Sequence, residues 1–299
     1  MARAKAKAKG KTPESTVEEL YFRSDSAYLC LILNRRTQFV RVIDFRAGAL
    51  PAKRLYIQSV AKKENVAKVI TLVEKDEVSS WTKVGFVREG TIPGFYKRSD
   101  GHLCGCVIGE TSASIEVSDA GVKLTDRTIN AAKKNAKDYP AKIKGASVKE
   151  ASEKDALAAR DKVWKKGEGA IAPFDAFGRD AARMYFSTTY RRCPLNYISV
   201  EFQDCFGHSL FEILRRPETE SEMKALIAGL RDIGDTMQER GIVSGFSFAP
   251  NDDVELSTCF VAAGYRKTGL LAQALPAPDG ERRDAILWTR KLANPAEQN

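Results

Sequence analysis

Trp81-Thr-Lys-Val-Gly-Phe-Val-Arg-Glu-Gly90 has a counterpart 179 residues later, Phe260-Val-Ala-Ala-Gly-Tyr-Arg-Lys-Thr-Gly269. Each stretch ends a short helical segment at a glycine, follows it with an aromatic residue, and places a second glycine five positions on. Fifteen residues past the first glycine of each copy comes an Asp-Gly pair, Asp100-Gly101 and Asp279-Gly280. Asp-Gly favours a two-residue hairpin turn, because both central positions tolerate positive φ. Each pair leads into an apolar stretch, around Val107-Ile108 and Ile286-Leu287. The spacing predicts a duplicated α/β unit.

The rest of the first copy fits such a unit. Tyr28-Leu-Cys-Leu-Ile-Leu33 is continuously apolar, Asn34-Arg-Arg-Thr37 turns the chain, and Phe39-Val-Arg-Val-Ile43 returns it. Continuous apolar runs of this length suit buried strands. Leu50 to Asn65 reads as a helix opened by Pro51, which is tolerated in the first turn. Val66 to Val73 is then a strand and Glu77 to Val84 a short helix.

In the second copy, Ile143 to Val148 begins the pattern and Glu153 to Trp164 is an amphipathic helix. Met184 to Thr189, Asn196 to Phe202 and His208 to Leu214 read as three antiparallel strands. Thr219 and Glu222 form a capping box ahead of a long helix. In that helix Met223, Leu226, Ile227, Leu230, Ile233 and Met237 keep helical spacing up to Gly241. Ile242 to Phe248 is the next strand, and Asn251-Asp-Asp253 opens a short helix before Gly264.

The expected organisation is a basic tail over 1–19, a first unit over 20–110, a Lys-rich linker over 111–142, a second unit over 143–292 and a short tail over 293–299. At 299 residues, with 43% hydrophobic and 29% charged residues, the chain has room for two sizeable cores. It has no apolar run near the roughly 20 residues that cross a bilayer, so no membrane partner is expected. Six cysteines show neither a disulfide framework nor a paired metal-ligand spacing. The sequence predicts no metal site and a reducing, cytoplasmic location. Arg3, Lys5, Lys7, Lys9 and Lys11 supply five of the nine net positive charges. Such a tail makes weak, salt-dependent contact with nucleic acid conceivable.

The order strand, helix, three strands, long helix, strand, short helix, two strands resembles that of the GNAT superfamily of acyl-coenzyme A N-acetyltransferases. Leu33-Asn-Arg-Arg-Thr-Gln-Phe-Val40, Val84-Gly-Phe-Val-Arg-Glu-Gly-Thr-Ile-Pro-Gly-Phe-Tyr96, and Gly264-Tyr265 through Trp288-Thr-Arg-Lys-Leu292 are similar to bacterial β-lysine N-acetyltransferases. The fold this implies is α/β (α+β): two tandem GNAT-like units, each a mixed, mainly antiparallel sheet flanked by helices. The resemblance further implies acetyl-CoA as cofactor and a small amine, such as a lysine-like diamine, as acceptor. The coenzyme would enter between the strands ending at Leu214 and Phe248. Backbone groups of Ile213 and Leu214 would hold its pantetheine, with Asn251 as a further contact. Arg215 and Arg216 would meet its phosphates. Glu201 or Glu212 would take the proton of the incoming ammonium. Phe260 stands at the position where many members of the superfamily carry the tyrosine that protonates the departing thiolate.

The sequence also departs from that pattern. The superfamily's glycine-rich pyrophosphate loop is replaced by Arg215-Arg-Pro-Glu-Thr-Glu-Ser-Glu222, with no glycine, a proline lacking an amide hydrogen and three glutamates. A second reading therefore stays open: a catalytically inactive GNAT-like module that binds or scaffolds a protein or nucleic-acid partner. Self-association into a homodimer and binding of aminoacyl-tRNA are open as well.

Overall fold

The computed structural model describes residues 16–25, 27–45, 48, 50–108, 116–166, 170–277 and 281–293. The basic tail and the Asp279-Gly280 turn fall outside them. Among the described residues no helix is long and apolar enough to cross a membrane.

The first unit comprises β1 (Val17–Arg23), β2 (Tyr28–Asn34), β3 (Phe39–Asp44), α1 (Leu50–Lys63), β4 (Lys68–Val73), α2 (Val78–Lys83), β5 (Val87–Ile92) and β6 (Gly101–Val107). After α3 (Asp119–Asn135), β7 (Ala146–Ala151) and α4 (Glu153–Lys166) comes the same order again. It runs β8 (Ala182–Tyr190), β9 (Asn196–Gln203), β10 (His208–Ile213), α5 (Glu220–Glu239), β11 (Ser244–Pro250), α6 (Val254–Ala262), β12 (Arg266–Pro276) and β13 (Arg282–Lys291). The strands form a single sheet in the order β1-β2-β3-β4-β6-β5-β12-β13-β11-β10-β9-β8-β7. Within each unit the pairing is antiparallel except once, β3 beside β4 and β10 beside β11. Those two parallel pairs are the ones joined by the crossover helices α1 and α5, as parallel neighbours require.

The repeated glycines have two distinct physical roles. Gly85 and Gly264 adopt φ of +91° and +87°, closing α2 and α6 in the left-handed conformation that glycine accepts without strain. Gly90 and Gly269 lie where the sheet passes from one unit to the other: β5 and β12 pair antiparallel through Gly90 opposite Gly269. A Cβ on Gly269 would lie 2.6 Å from the Glu89 carbonyl oxygen and 2.7 Å from the Gly90 Cα. The backbones approach closely there because neither carries a side chain.

Asp100-Gly101, by contrast, is not a two-residue hairpin. Residues 93–100 connect β5 to β6, and the Asp100 carboxylate closes this longer loop by accepting from the Gly94 amide (2.9 Å).

Separate cores cover the faces of the sheet. In the first unit α1 and α2 pack on it, with Ile57, Ala61 and Trp81 buried against Leu31, Val40 and Val69. In the second, α5 buries all six of its apolar positions at helical spacing, each contributing about 1.5–3 kcal/mol. The capping box forms as read. Thr219 Oγ1 accepts from the Glu222 amide and the Glu222 carboxylate accepts from the Thr219 amide. Thr219→Ala is expected to cost about 1 kcal/mol in a urea-unfolding measurement.

The linker expected over 111–142 is instead largely helical. Ser118 caps α3 by accepting from Gly121, and Thr125, Thr128, Ile129 and Ala132 are buried on its inner face against α6. Its lysines lie on the other face, which is why the composition alone suggested solvated chain.

Candidate functional site

The expected coenzyme entrance lies where β10 and β11 part. They are paired only over His208, Ser209 and Leu210 against Ser244, Gly245 and Phe246. Past that point the edge of β10 is taken by the chain itself. Between α4 and β8 the strap Ala170-Ile-Ala-Pro-Phe-Asp-Ala-Phe177 enters the opening. The Ile171 amide donates to the Leu214 carbonyl (2.9 Å) and the Ala172 amide to the Ile213 carbonyl (3.2 Å). Ala170 bridges Arg215 in the same antiparallel sense. Of the Ile213 and Leu214 backbone groups expected to hold pantetheine, both carbonyls therefore hold residues 171 and 172.

The expected phosphate end is partly taken up by the chain as well. The Glu222 carboxylate accepts from the amides of Glu218 (2.8 Å) and Thr219 (3.0 Å) at the start of α5. Free amides at a helix start attract anions, and here an internal carboxylate takes the two that lead into the helix and puts a negative charge beside the rest. Arg215 pairs with that same carboxylate, while its carbonyl accepts from Asn196. Arg216 lies 3.5 Å from Asp253 and 3.7 Å from Glu255. Arg215 is thus committed within the chain, whereas Arg216 is 44% exposed and held only by these longer contacts.

Asn251 and Phe260 also depart from their expected roles. The Asn251 amide donates to Thr125 Oγ1 (3.3 Å), which ties β11 to α3, whereas Asp253 caps α6 by accepting from Leu256. Phe260 is fully buried, stacked on Trp288 with 5.6 Å between ring centroids. The residues of this chain thus do not fit acetyl-CoA in the expected groove.

The two candidate bases are brought together, and the residue that joins them, Arg183 on β8, carried no sequence signal. Its guanidinium pairs with Glu201 (2.6 Å) and with Glu212, and it also donates to Ser199 Oγ and the Asp175 carbonyl. Glu201 accepts from the amides of Phe177 (2.9 Å) and Gly178 (2.5 Å), so it anchors the strap. With Arg183, that makes three donors on this carboxylate, which ties it to a structural role. Glu212 differs. Burial raises its pKa to about 7 even though Arg183 lies beside it, and it lines a small cavity of about 100 Å³ between the strap, β3 and β12. That space holds a few waters rather than an amine and a thioester.

On the other side of Arg41, under the β9–β10 hairpin, lies a larger cavity of about 360 Å³. His208, the first residue of β10, lines it. Its ring stacks on Phe95 (3.8 Å between centroids), and Nδ1 donates to the Phe95 carbonyl (3.1 Å). Burial foremost, then the charge of Arg41, lowers its pKa to about 3, so the ring is neutral at physiological pH.

The strap could have been found from its apolar residues, Ile171, Pro173, Phe174 and Phe177, outside any helical or strand period. Arg41 lies within a predicted strand and Arg183 one residue before another, where sequence does not distinguish a buried arginine from a solvated one.

The sequence matches no protein-family model and no curated protein sequence. Among solved structures the chain is similar to spermidine N-acetyltransferase from Vibrio cholerae in complex with CoA and spermine. The identity is 12%, over 51% of this chain and 98% of that chain, with a TM-score of 0.39. It is also similar to the ribosomal-protein-S18-alanine N-acetyltransferase from Escherichia coli. There the identity is 14%, over 50% of this chain and 94% of that chain, with a TM-score of 0.36.

Proposed function

We propose that this chain is a catalytically inactive, GNAT-like binding module whose two units are fused through one sheet. In this reading it does not transfer an acetyl group from acetyl-CoA. The observation that carries the reading is the strap on Ile213 and Leu214, the backbone edge that a pantetheine arm would need. Glu222 on the helix start points the same way, since a phosphate there would meet a buried carboxylate. Displacing both would expose two strap amides and leave Glu201 without its backbone donors, at roughly 1–3 kcal/mol per unsatisfied group.

Acetyl transfer to an amine has one observation in its favour. Glu212 is buried with a pKa of about 7, the property of a general base working near neutral pH. In that reading the strap leaves the groove whenever coenzyme enters. Melting of the full chain across a titration of acetyl-CoA separates the two. A functional site at 100 times its dissociation constant adds about 2.7 kcal/mol to stability. The binding-module reading predicts no saturable shift at millimolar acetyl-CoA, and a saturable shift would overturn it in favour of acetyl transfer.

A further inference from the structure

The larger cavity lies outside the closed groove and holds an unusual cation. Arg41, on β3, is only 7% exposed. Its guanidinium lies over the Phe177 ring, 4.4 Å from the centroid, and Nη1 donates to the Phe177 carbonyl (3.1 Å). Nε is buried with no partner, and among the described residues no carboxylate lies within ion-pair distance of this side chain. Glu201 is the carboxylate whose charge acts on it most. That carboxylate is already committed to two backbone amides and to Arg183. A guanidinium presents five donors and does not give up its proton in proteins. One buried with so few partners is costly unless an anion completes it.

The walls say what kind of anion. Phe45, Leu72, Phe95 and Phe206 make them largely apolar, and a volume of about 360 Å³ suits a small organic molecule. Among the described residues the other charged groups of the lining are paired: Asp44 is held by buried Lys53 (2.7 Å), and Arg179 by Asp180 (3.0 Å). The His208 Nδ1 gives its hydrogen to Phe95, so Nε2 remains an acceptor. Among the described lining residues Arg41 is the one cation without an ion pair, and the His208 ring is neutral, so the site suits one negative charge rather than two.

We propose that this cavity binds a small amphipathic monocarboxylate, its carboxylate on Arg41 and its apolar body against Phe45, Phe95 and Phe206. The inference rests on the reading of the chain as a binding module and supplies the class of its ligand. Arg41 borders both cavities, but the ligand would sit under the β9–β10 hairpin and not on Ile213 and Leu214, so failure here and a saturable acetyl-CoA shift are separate results.

Cys205 is exposed and lines the cavity, which makes it a reporter. The full chain is alkylated with N-ethylmaleimide in the presence of phenylacetate, indole-3-acetate, phenylacetamide or inorganic phosphate, and modification of Cys205 is followed by mass spectrometry. The acids should protect Cys205 saturably. Phenylacetamide should bind about 10-fold or more weakly, the share of a charge-assisted hydrogen bond. Arg41→Gln should remove the preference for acid over amide. Phe206→Trp, at a residue 41% exposed and so tolerant of change, should narrow the cavity and weaken acid and amide together. Equal protection by acid and amide, better protection by phosphate than by either acid, or no protection at millimolar concentrations would overturn the proposal.

Discussion

Lys68→Met should destabilise the protein by about 3–5 kcal/mol, the cost of stranding one member of a buried ion pair. Lys68 has no exposed side-chain surface and its Nζ lies 2.6 Å from the Glu89 carboxylate, itself 4% exposed. Glu89 also accepts from the Ala272 amide across the junction between the units (2.9 Å), while its second oxygen is buried without a partner. Burial raises the pKa of Glu89, with Lys68 opposing the shift. Removing Lys68 removes that opposition, so folded Glu89 holds its proton to higher pH than unfolded Glu89 does. A group with a raised folded-state pKa binds more protons when folded, so stability falls as pH rises. The deficit of Lys68→Met should therefore shrink as pH is lowered towards the unfolded carboxylate range. Adding Glu89→Gln should recover part of the loss at neutral pH. Urea unfolding at two pH values measures both effects. A loss below about 1 kcal/mol, the size of an exposed pair, would show that the junction is wet.

Gly269→Ala is the second large effect, and its sign is the informative part. Gly269 does not have a positive φ. An ordinary glycine-to-alanine change there would stabilise by about 0.4–1 kcal/mol through the unfolded chain. Here the added Cβ meets two backbone atoms of the other unit, 2.6 and 2.7 Å away, and neither can rotate aside. Overpacking of this kind costs about 1–3 kcal/mol, so the clash outweighs the entropy gain and the variant should be destabilised. Gly90→Ala, whose Cβ would lie 3.0 Å from the Gly269 Cα and 2.8 Å from Leu287, should behave alike. Unchanged or increased stability in both would mean that β5 and β12 do not meet at these residues.

Those same glycines show how much of the fold the sequence contained. Their spacing was legible as a repeat, although only the structure reveals that one glycine of each copy ends a helix and the other permits contact between the units. The α5 helix was legible in full, because six apolar residues at helical spacing and a capping box encode it redundantly. Helix α3 was not, since three of its buried residues are Thr125, Thr128 and Ala132, which do not register as an apolar face. Asn251 was read against a cofactor or a helix cap because its true partner, Thr125, lies 126 residues earlier in the chain.

The candidate site was legible in its parts and not in its connections. Glu201 and Glu212 stand on neighbouring strands, as their positions suggested, and the acidic start of α5 was visible as a departure from an anion site. The sequence did not reveal that Arg183 would bind both glutamates, nor that an eight-residue strap would lie on β10. Both depend on long-range pairing that no local period encodes.

The central claim is that the chain fills its own coenzyme groove, and hydrogen exchange at the Ile171 and Ala172 amides tests it most directly. If the strap is bound as described, both amides exchange as slowly as those inside β10, and millimolar coenzyme A leaves their rates unchanged. Exchange at the rate of an unprotected loop, or a change in these two amides on adding coenzyme A, would contradict the account.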